Sequence, residues 1–415
     1  MKTVSVIGLG NRGTEYMLFI KHLNRRRLKI VAVCDIRQQA LDDIAPRYKI
    51  PDDKRFLGTD SFFSQGVISD ALIISTQDDS HFEITKEAIR TGYKYILLEK
   101  PVSGNYDECL MLYELAKQND VKLLVCHVLR YSNYFSKIKE IIDSGVLGDI
   151  LTINHTENIG YFHFAHSFVR GNWKSEEEST PSILAKCCHD LDLIQWYANS
   201  PAKTVSSVGG LDYFNKDHAP KGAAKRCLDD CKVKHSCPYN AENLYIKDPF
   251  WRAKFIKYLR RTLTGKTNSS KKDIYDALKN GDYGKCVFMS DNDVCDNQLV
   301  HIGFENGINA TLTMSAFSNR MFRQCHIIGT KGELIGYDMS LKIAIFGKPT
   351  KKVRIKGIKA SGHVEGDMRL IKNFAALVNG ESVNSKNLTT IEATLLSHEI
   401  AKRAEISRKS NGEIC

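Results

Sequence analysis

The sequence predicts an α/β protein in which a doubly wound parallel sheet precedes a second domain built on an antiparallel sheet. Residues 1–125 alternate short apolar runs with amphipathic segments, which is the pattern of β-α-β units. After about residue 150, strand-like runs follow one another through short turns. The 415 residues are enough for two domains, or for one large domain with an insertion.

The composition is that of a soluble globular protein, with 42% hydrophobic and 26% charged residues. No apolar run approaches the ~18 residues of a membrane helix, and the first residues lack a hydrophobic signal core. We therefore expect no membrane partner, a mature chain that begins at Met1, and a cytoplasmic location. The twelve cysteines are dispersed, which favours reduced thiols or metal ligands over a disulfide framework.

The net charge of +11 raises the question of an acidic partner. Much of it lies in residues 252–272, where basic residues alternate with aromatic and aliphatic ones. This stretch is a contact for phosphates or, more simply, a solvated helix face followed by a mobile polar loop. Because no nucleic-acid motif occurs elsewhere, we expect no nucleic-acid partner.

The first domain is predicted to span residues 1–125. Its strands are VSVIGL, LKIVAVC, DALIIST, KYILLE and VKLLVC, which are apolar throughout, as expected for a buried parallel sheet. DDSHFEITKEAIRTG begins with capping residues and ends in glycine, which are the expected limits of a helix.

The second domain is predicted to span residues 126–390. Its strands are DILTINHTE, TVSSVGG, QLVHIGF, INATLTM, QCHIIG and LKIAIF. Asn306-Gly307 indicates a hairpin, and GTKGEL indicates another turn. A basic, cysteine-rich insertion occupies about residues 215–290, and residues 391–415 form a C-terminal helix and tail.

A glycine motif follows the first predicted strand and precedes the first helix. Gly8, Gly10 and Gly13 provide a tight turn, close approach to a pyrophosphate and close helix–strand packing. The helix N-terminus then supplies amide donors and a favourable dipole for phosphates. In this context, the motif predicts a dinucleotide site.

The end of the second strand carries Asp35, where a carboxylate can accept hydrogen bonds from the adenosine ribose. A carboxylate there repels a 2′-phosphate, so NAD is favoured over NADP. Arg12 and Arg37 are close enough in sequence to soften this preference and to keep NADP possible.

The fourth predicted strand ends in LLEKPVS, which places Glu99, Lys100 and Pro101 at the carboxyl edge of the sheet. Ligands of doubly wound folds bind at this edge. Lys100 is therefore a candidate functional residue, although a single lysine is more often a surface residue.

The segments GLGNRG, EKP, HVLRYS and GTKGEL, with a helix that carries His189, together resemble the glucose–fructose oxidoreductase/inositol dehydrogenase (Gfo/Idh/MocA) family. The resemblance extends from residue 3 to about 410. It implies a Rossmann domain, a second domain with a large, mostly antiparallel open sheet, and an active site between the two. It also implies a homodimer or homotetramer that pairs through the open sheet.

The resemblance also assigns roles to particular residues. The lysine of EKP contacts nicotinamide and substrate in this family, which carries over to Lys100, and the acid/base histidine carries over to His189. Many members place an aspartate four residues before this histidine, where this chain has Ala185, so Lys186 is a candidate for that role. The remaining predicted cofactor contacts are Asn11, Thr76, His81 and Glu99.

The helix that carries His189 is predicted to form a cleft wall. Successive residues of a helix are rotated by 100° about its axis, which places Cys187 in an apolar stripe. The opposite side carries a mixture of polar and apolar residues: Lys186, His189, Leu193 and Trp196. Nothing nearby marks Cys187 or Cys188 as a reactive thiolate, and adjacent cysteines on a helix diverge too far to favour a metal site. The candidate substrate contacts, each with a structural alternative, are Tyr131, Arg170, Trp173 and Asp192.

The insertion contains a second candidate site. Cys227, Cys231 and Cys237 could supply three ligands of a tetrahedral zinc site. Cys286 is the preferred fourth ligand, and His235 and Cys188 are the alternatives. The spacing matches no common zinc finger, so reduced thiols in a compact loop remain the alternative. Zinc would stabilise a polar segment that has few large apolar residues.

These features predict an NAD(P)-dependent dehydrogenase that acts on a hydroxyl of a sugar, inositol or related polyol. Histidine suits removal of the hydroxyl proton near neutral pH, and a lysine cation suits stabilisation of alkoxide charge. Two alternatives stay open: an enzyme that oxidises its substrate transiently while cleaving or isomerising a glycoside, and a non-catalytic NAD-sensing regulator.

Overall fold

The computed structural model describes residues 1–23, 27–247, 253–266, 268–355, 362–384 and 387–415. The N-terminal sheet has six strands: β1 (Lys2–Ile7), β2 (Leu28–Asp35), β3 (Arg55–Leu57), β4 (Ala71–Ile74), β5 (Tyr95–Leu98) and β6 (Lys122–Val125). Their order is β3-β2-β1-β4-β5-β6, and every pairing is parallel. The predicted doubly wound sheet is confirmed.

The helices of this sheet are α1 (Asn11–His22), α2 (Gln38–Ile44), α3 (Thr59–Phe63), α4 (His81–Thr91) and α5 (Tyr106–Gln118). The five predicted strands are all present. β3 was not predicted because its three residues, Arg-Phe-Leu, are too few to establish a periodicity. β4 is completely buried, as expected for a strand covered on both faces.

The second sheet has eight strands: β7 (Ile150–Asn158), β8 (Ala202–Gly210), β9 (Asn297–Phe304), β10 (Asn309–Ser315), β11 (Phe322–Gly329), β12 (Gly332–Tyr337), β13 (Ser340–Ile345) and β14 (Lys351–Lys352). Their order is β14-β13-β12-β11-β7-β10-β9-β8. Only β7 and β10 pair in parallel among these strands. The prediction of a large, mostly antiparallel sheet is confirmed.

Two turns refine the prediction for this sheet. Asn306 and Gly307 lie in the hairpin between β9 and β10, but only Gly307 has a positive φ, of +86°. A type I′ turn needs a positive φ at both central residues, so the hairpin uses a longer loop. The GTKGEL segment is a turn only at Thr330 and Lys331, because Gly332 already begins β12.

The helices of the second domain are α6 (Asn133–Asp143), α7 (Tyr161–Phe164), α8 (Ser182–Ala198), α9 (Ala253–Thr264), α10 (Lys271–Asn280), α11 (Gly362–Val378) and α12 (Ile391–Lys409). α8 packs against β7 and β10 on the inner face of the sheet. α12 packs against α8 and β8 and also against α5, whereas α11 packs against α1. The two C-terminal helices therefore join the domains.

The insertion at about residues 215–290 is more ordered than a polar loop. Leu244, Tyr245, Leu259, Ile274 and Leu278 form a small hydrophobic core of their own. α10 begins with a capping box between Ser270 and Asp273, a signal that the sequence interpretation passed over. Arg252 and Thr267 of the basic stretch lie outside the described residues. No helix in the described ranges has the length and hydrophobicity needed to cross a lipid bilayer.

Candidate active site

The glycine turn between β1 and α1 has two tightly packed positions and one open position. A Cβ on Gly8 would lie 2.5 Å from the Ser75 carbonyl oxygen, and one on Gly13 would lie 1.9 Å from the Gly8 carbonyl oxygen. A Cβ on Gly10 would meet no heavy atom within 4 Å. The open position lies at the N-terminus of α1, so the turn fits a dinucleotide pyrophosphate.

Asp35 is buried at the end of β2 and braces this turn. One carboxylate oxygen accepts the Leu9 backbone N–H at 2.7 Å, and the other accepts the Arg37 backbone N–H at 2.9 Å. The Arg37 side chain forms an ion pair with Asp35 at 3.0 Å. Both residues therefore lie at the ribose end of the predicted cofactor site.

The insertion helix α9 crosses the cofactor turn, which the sequence did not predict. Asn11 Nδ2 donates to Thr262 Oγ1 at 3.1 Å, and Arg261 Nη1 donates to Thr14 Oγ1 at 3.0 Å. Burial lowers the pKa of Arg261, and the nearby Arg37 and Arg47 lower it further. α9 thus brings a third arginine to the ribose end of the turn.

Arg12 does not take the role predicted for it. Its guanidinium contacts Glu99 at 2.7 Å and Asp367 at 3.0 Å, and it also binds Tyr16. This corrects the expectation that Arg12 reads the ribose, because its donors are used by carboxylates from β5 and α11. The guanidinium instead joins the glycine turn, the EKP segment and the C-terminal helices.

Glu99 is likewise buried in this network and does not face an open cofactor site. Burial alone would raise the pKa of Glu99, but Arg12 and Tyr16 bring it below its ordinary value. The second Glu99 oxygen accepts the Lys100 backbone N–H at 2.9 Å. Glu99 therefore positions Lys100, which corrects its predicted role as a cofactor contact.

The two predicted contacts after β4 differ in position. Thr76 lies next to the glycine turn, and its hydroxyl accepts a hydrogen bond from Ser80 Oγ at 2.8 Å. His81 is fully buried, with Nδ1 2.6 Å from the Pro101 carbonyl oxygen. His81 supports the EKP segment from behind, which corrects its predicted contact with the cofactor.

Lys100 connects the two domains at the centre of the site. Its Nζ donates to the backbone carbonyl of Ala185, on α8, at 2.7 Å. Burial by itself would lower the pKa of Lys100, but Cys188, Asp78 and Glu99 raise it above its ordinary value. The ammonium therefore stays protonated, and a backbone carbonyl holds it at the position where an aspartate was expected.

His189 lies one turn further along α8 and is 5% exposed. Burial lowers its pKa well below the ordinary value, and Lys100 and His363 lower it further. Its Nδ1 has no hydrogen-bond partner among the described residues. The imidazole is therefore neutral at neutral pH and can accept a proton.

Two histidines that the sequence analysis did not name border His189. The centre of the His127 ring lies 5.6 Å from that of His189, and the centre of the His363 ring lies 5.4 Å from that of His189. His127 follows β6 at the carboxyl edge of the sheet, as Glu99 follows β5. This position could have identified His127 as a candidate site residue from the sequence. His363 comes from α11, far along the chain, and carried no such signal.

His127, Cys188 and His189 have ligand atoms that all lie within 4.8 Å of one another, the one such group in the described part of the chain. Burial raises the pKa of Cys188 to about 12, so the thiol is protonated. The Lys100 ammonium lies nearby and opposes a second cation. The group is therefore better suited to proton handling than to holding a metal.

Lys186 is held away from its predicted role by an ion pair with Glu157 at 3.2 Å. Glu157 and Asp190 also bind Arg323, at 3.0 and 2.7 Å, on the inner face of the sheet. Lys186 thus belongs to a buried ion-pair network. This corrects the expectation that it replaces the aspartate as the direct partner of His189.

Three of the four predicted substrate contacts are engaged elsewhere. Tyr131 is buried, with its hydroxyl on Thr389 at 3.1 Å, and Asp192 forms a buried bidentate pair with Arg130 at 2.6 and 2.7 Å. Arg170 is fully buried and turns toward the cysteines of the insertion. These contacts favour the structural alternative for all three residues.

Trp173 contacts Asp78, which lines an open cleft between the domains. Its Nε1 donates to Asp78 at 2.8 Å, and Asp78 is one of the groups that raise the pKa of Lys100. The cleft has a volume of about 310 Å³ and is lined by polar residues from both domains: Gln77, Asp78, Asp79, Asn172, Glu178 and Ser179. It is a candidate substrate site next to Lys100.

The four predicted zinc ligands also come together. Cys227, Cys231, Cys237 and Cys286 line one small cavity in the insertion. Of the two alternatives for the fourth ligand, His235 is exposed, and Cys188 lies beside His127 and His189. The structure thus favours Cys286 as the fourth member of the group.

Two family models match almost the whole chain. Residues 2–127 match the NAD-binding Rossmann fold of the Gfo/Idh/MocA oxidoreductase family. Residues 139–415 match the C-terminal alpha/beta domain of the same family. Together they cover both sheets described above.

Relatives and solved structures agree with these matches. The oxidoreductase YteT of Bacillus subtilis is 23% identical over 80% of this chain and 76% of its own length. Inositol 2-dehydrogenase of Salmonella typhimurium is 25% identical over 48% of this chain and 55% of its own length.

Two solved structures share the fold over nearly their full length. An Agrobacterium radiobacter oxidoreductase in complex with NAD+, L-tartaric acid and magnesium superposes with a TM-score of 0.69 at 14% identity, covering 100% of this chain and 98% of that one. An inositol dehydrogenase homolog from Azotobacter vinelandii, complexed with NAD+, gives 0.67 at 15% identity, covering 100% and 97%.

Proposed function

Because this chain belongs to the Gfo/Idh/MocA oxidoreductase family, we propose that it transfers a hydride between NAD and a hydroxyl-bearing carbon of a sugar, inositol or related polyol. The observation that carries this proposal is the meeting of Lys100 and His189. Lys100 leaves the edge of the cofactor sheet and binds the first turns of α8, the helix on which His189 lies. A cation and a neutral base thus lie close together where the two domains meet.

The two residues divide the chemistry between them. NAD, when bound, supplies the hydride acceptor, and the protein supplies orientation and a proton acceptor. His189 takes the hydroxyl proton, since its lowered pKa keeps the imidazole unprotonated. Lys100 orients the substrate oxygen and stabilises the negative charge that develops on it.

The cleft supports a small, hydroxyl-rich substrate. Its volume of about 310 Å³ is at the lower end of the roughly 300–1,000 Å³ of ligand pockets. Carboxylates of Asp78, Asp79 and Glu178 and the amide of Asn172 accept or donate the hydrogen bonds that a polyol needs. The inositol 2-dehydrogenase relatives act on a substrate of this class.

The ribose end of the site favours NAD. Asp35 is a buried carboxylate, and a 2′-phosphate beside it would be repelled. Arg37, Arg47 and Arg261 soften that repulsion, so we expect NAD to be preferred and NADP to be used at higher concentration. The ratio of kcat/KM for the two cofactors measures this preference.

The outer face of the eight-stranded sheet supports a homodimer or homotetramer. Val208, Leu299, Ile335 and Tyr337 are exposed there, from strands at both ends of the sheet. Self-association would remove this apolar surface from water. Light scattering of the purified chain, with Leu299→Lys as a variant of the face, tests this assembly.

The function is tested with a panel of sugars, inositols and glycosides in the presence of NAD, monitored for NADH and for product. Accumulation of NADH supports the dehydrogenase. Product without net NADH identifies instead the enzyme with transient oxidation, and NAD binding without turnover identifies the regulator.

His189→Ala is the matching variant. We expect turnover to fall by about 10²–10⁴-fold while NAD affinity stays nearly unchanged, because the imidazole acts on the proton and not on the dinucleotide. His22→Ala, on an exposed residue at the C-terminal end of α1, is the control and should keep full activity. Unchanged turnover in His189→Ala would remove the assignment.

A further inference from the structure

The cavity that the four cysteines line lies in the insertion, outside the active-site cleft. It has a volume of about 10 Å³, which is room for about one water-sized atom. All four cysteines are reduced. Val233, Val287 and Phe288 form much of the apolar wall, and Arg170, Lys234 and Asn240 are the polar residues that line it.

The backbone brings the two halves of this cluster together. Arg226 and Lys285 form an antiparallel bridge. Beside it, the Cys227 N–H donates to Gly284 and the Cys286 N–H donates to Lys225, both at 2.9 Å. Two cysteines that are distant in sequence are thereby fixed side by side, although a loop of reduced thiols has no need for such an arrangement.

Arg170 supplies a buried cation at the cluster. It is 2% exposed, and its Nη2 lies 3.4 Å from Cys227 Sγ. Its guanidinium is fixed by the carbonyl oxygens of Lys285, at 2.7 Å, and Tyr239, at 2.9 Å. Nη1 is buried and has no partner among the described residues. A buried guanidinium calls for negative charge, and four protonated thiols would not supply it.

We propose that Cys227, Cys231, Cys237 and Cys286 bind one Zn²⁺ as four thiolates, with Arg170 balancing the charge of the centre. On binding, each thiol releases its proton to water and forms a Zn–S bond, with no change of oxidation state. Among the described residues no three of these sulfurs lie within 4.8 Å of one another. The proposal therefore requires the cysteine side chains to turn toward the ion when it binds, to Zn–S distances of ~2.3 Å.

The size of the cavity distinguishes this centre from a polynuclear one. Tetrahedral sulfur ligands suit zinc or an iron–sulfur cluster. A cavity that holds about one atom accommodates a single ion without displacing its wall, whereas a cluster of several atoms does not fit. The centre is therefore structural, and it holds the loop that leads from Arg170 to the cleft residue Asn172 and to Trp173.

Metal analysis of the purified full-length chain tests the centre, with Cys231→Ser as the variant and Cys295→Ser as the control. Cys295 is a buried, reduced cysteine of the same domain that does not line the cavity. We expect one zinc per chain in the unsubstituted protein and in Cys295→Ser, and a loss of most of it in Cys231→Ser.

A second measurement covers the case in which Cys231→Ser does not fold. An organomercurial reagent added to the unsubstituted protein should release zinc to a chromogenic indicator as the cysteines are titrated. A protein without stoichiometric metal, one in which Cys231→Ser retains its zinc, or one that holds iron with acid-labile sulfide would overturn the proposal.

Discussion

Arg12 shows how a single half-buried charge can connect the parts of a site through ion pairs. Its guanidinium lies between Glu99, at the end of β5, and Asp367, on α11. Burial raises the pKa of Asp367, and Arg12 opposes this rise. Because Glu99 also binds the Lys100 backbone, the position of Lys100 depends on this network.

Removal of the Asp367 carboxylate should therefore destabilise the fold. Asp367 is 1% exposed, whereas Arg12 is about a third exposed and keeps Glu99 and Glu15 as partners. Removal of one partner from a buried polar network of this kind costs about 1–3 kcal/mol. We expect the unfolding free energy of Asp367→Ala, measured by urea denaturation, to fall by about this amount.

Asp120→Ala is the control for this prediction. Asp120 forms an exposed ion pair with Lys122 at 3.0 Å, a class of pair worth about 0–1 kcal/mol. If the two variants lose the same stability, the Arg12 network does not have the importance assigned to it.

The residues that could be predicted from the sequence are those whose role depends on local position. Lys100 follows a strand, and His189 lies on a helix with a recognisable pattern. By contrast, Arg170, Asp192 and Tyr131 find their partners in Lys285, Arg130 and Thr389. Contacts of this kind join distant segments, and no local periodicity records them.

At the scale of elements, the turn from β1 to α1 separates two functions of glycine. Gly13 permits close packing of α1 on the turn, because a Cβ there would lie 1.9 Å from the Gly8 carbonyl oxygen. Gly10 has no neighbour within 4 Å of its Cβ position, so packing of the protein does not require a glycine there. The missing side chain instead leaves room for a cofactor that binds against the turn. The two positions should respond differently to the same substitution.

We expect Gly10→Ala to keep the stability of the cofactor-free protein and to weaken NAD binding by about tenfold or more, or about 1.4 kcal/mol. Gly13→Ala should instead lower the cofactor-free stability by about 1–3 kcal/mol, the usual cost of overpacking. Thermal denaturation without NAD and calorimetric titration with NAD measure the two effects. Equal losses of stability would contradict the division of roles.

Helix α8 shows where the periodicity argument reaches its limit. The sequence predicted a helix with an apolar stripe and a mixed face, and the helix exists at the expected place. Yet nearly every residue of α8 is buried, including Asp190 and Asp192. Their charges are matched by Arg323 and Arg130 from outside the helix, so polar residues here do not mark a solvent face.

At the scale of the whole molecule, the packing of distant segments buries an unusual set of histidines. Burial is the main cause that lowers the pKa of each one, to about 3 for His166 and His398. The set comprises His127, His163, His166, His189, His363 and His398. The individual strands and helices were predictable, but this set arises only when the domains, the insertion and the C-terminal helices pack together.

These histidines should make the protein sensitive to mild acid. Above pH ~6.5 they are neutral in both the folded and the unfolded chain, so they do not oppose folding. As the pH falls below ~6.5, the unfolded chain binds protons that the folded chain excludes, and stability is lost at about 1.4 kcal/mol per pH unit for each such histidine. This loss of stability continues as the pH falls toward the pKa values that the histidines have in the folded protein.

We therefore expect the urea midpoint to fall steeply between pH 7 and pH 5, with uptake of several protons on unfolding at the lower pH. Calorimetric unfolding in buffers of different ionisation enthalpy counts these protons. His398→Gln removes one buried histidine, so its slope should be shallower by about 1.4 kcal/mol per pH unit, whereas His22→Gln, at an exposed position of α1, should leave the slope unchanged. A midpoint that is constant over this range would show that the histidines are not neutral in the folded protein.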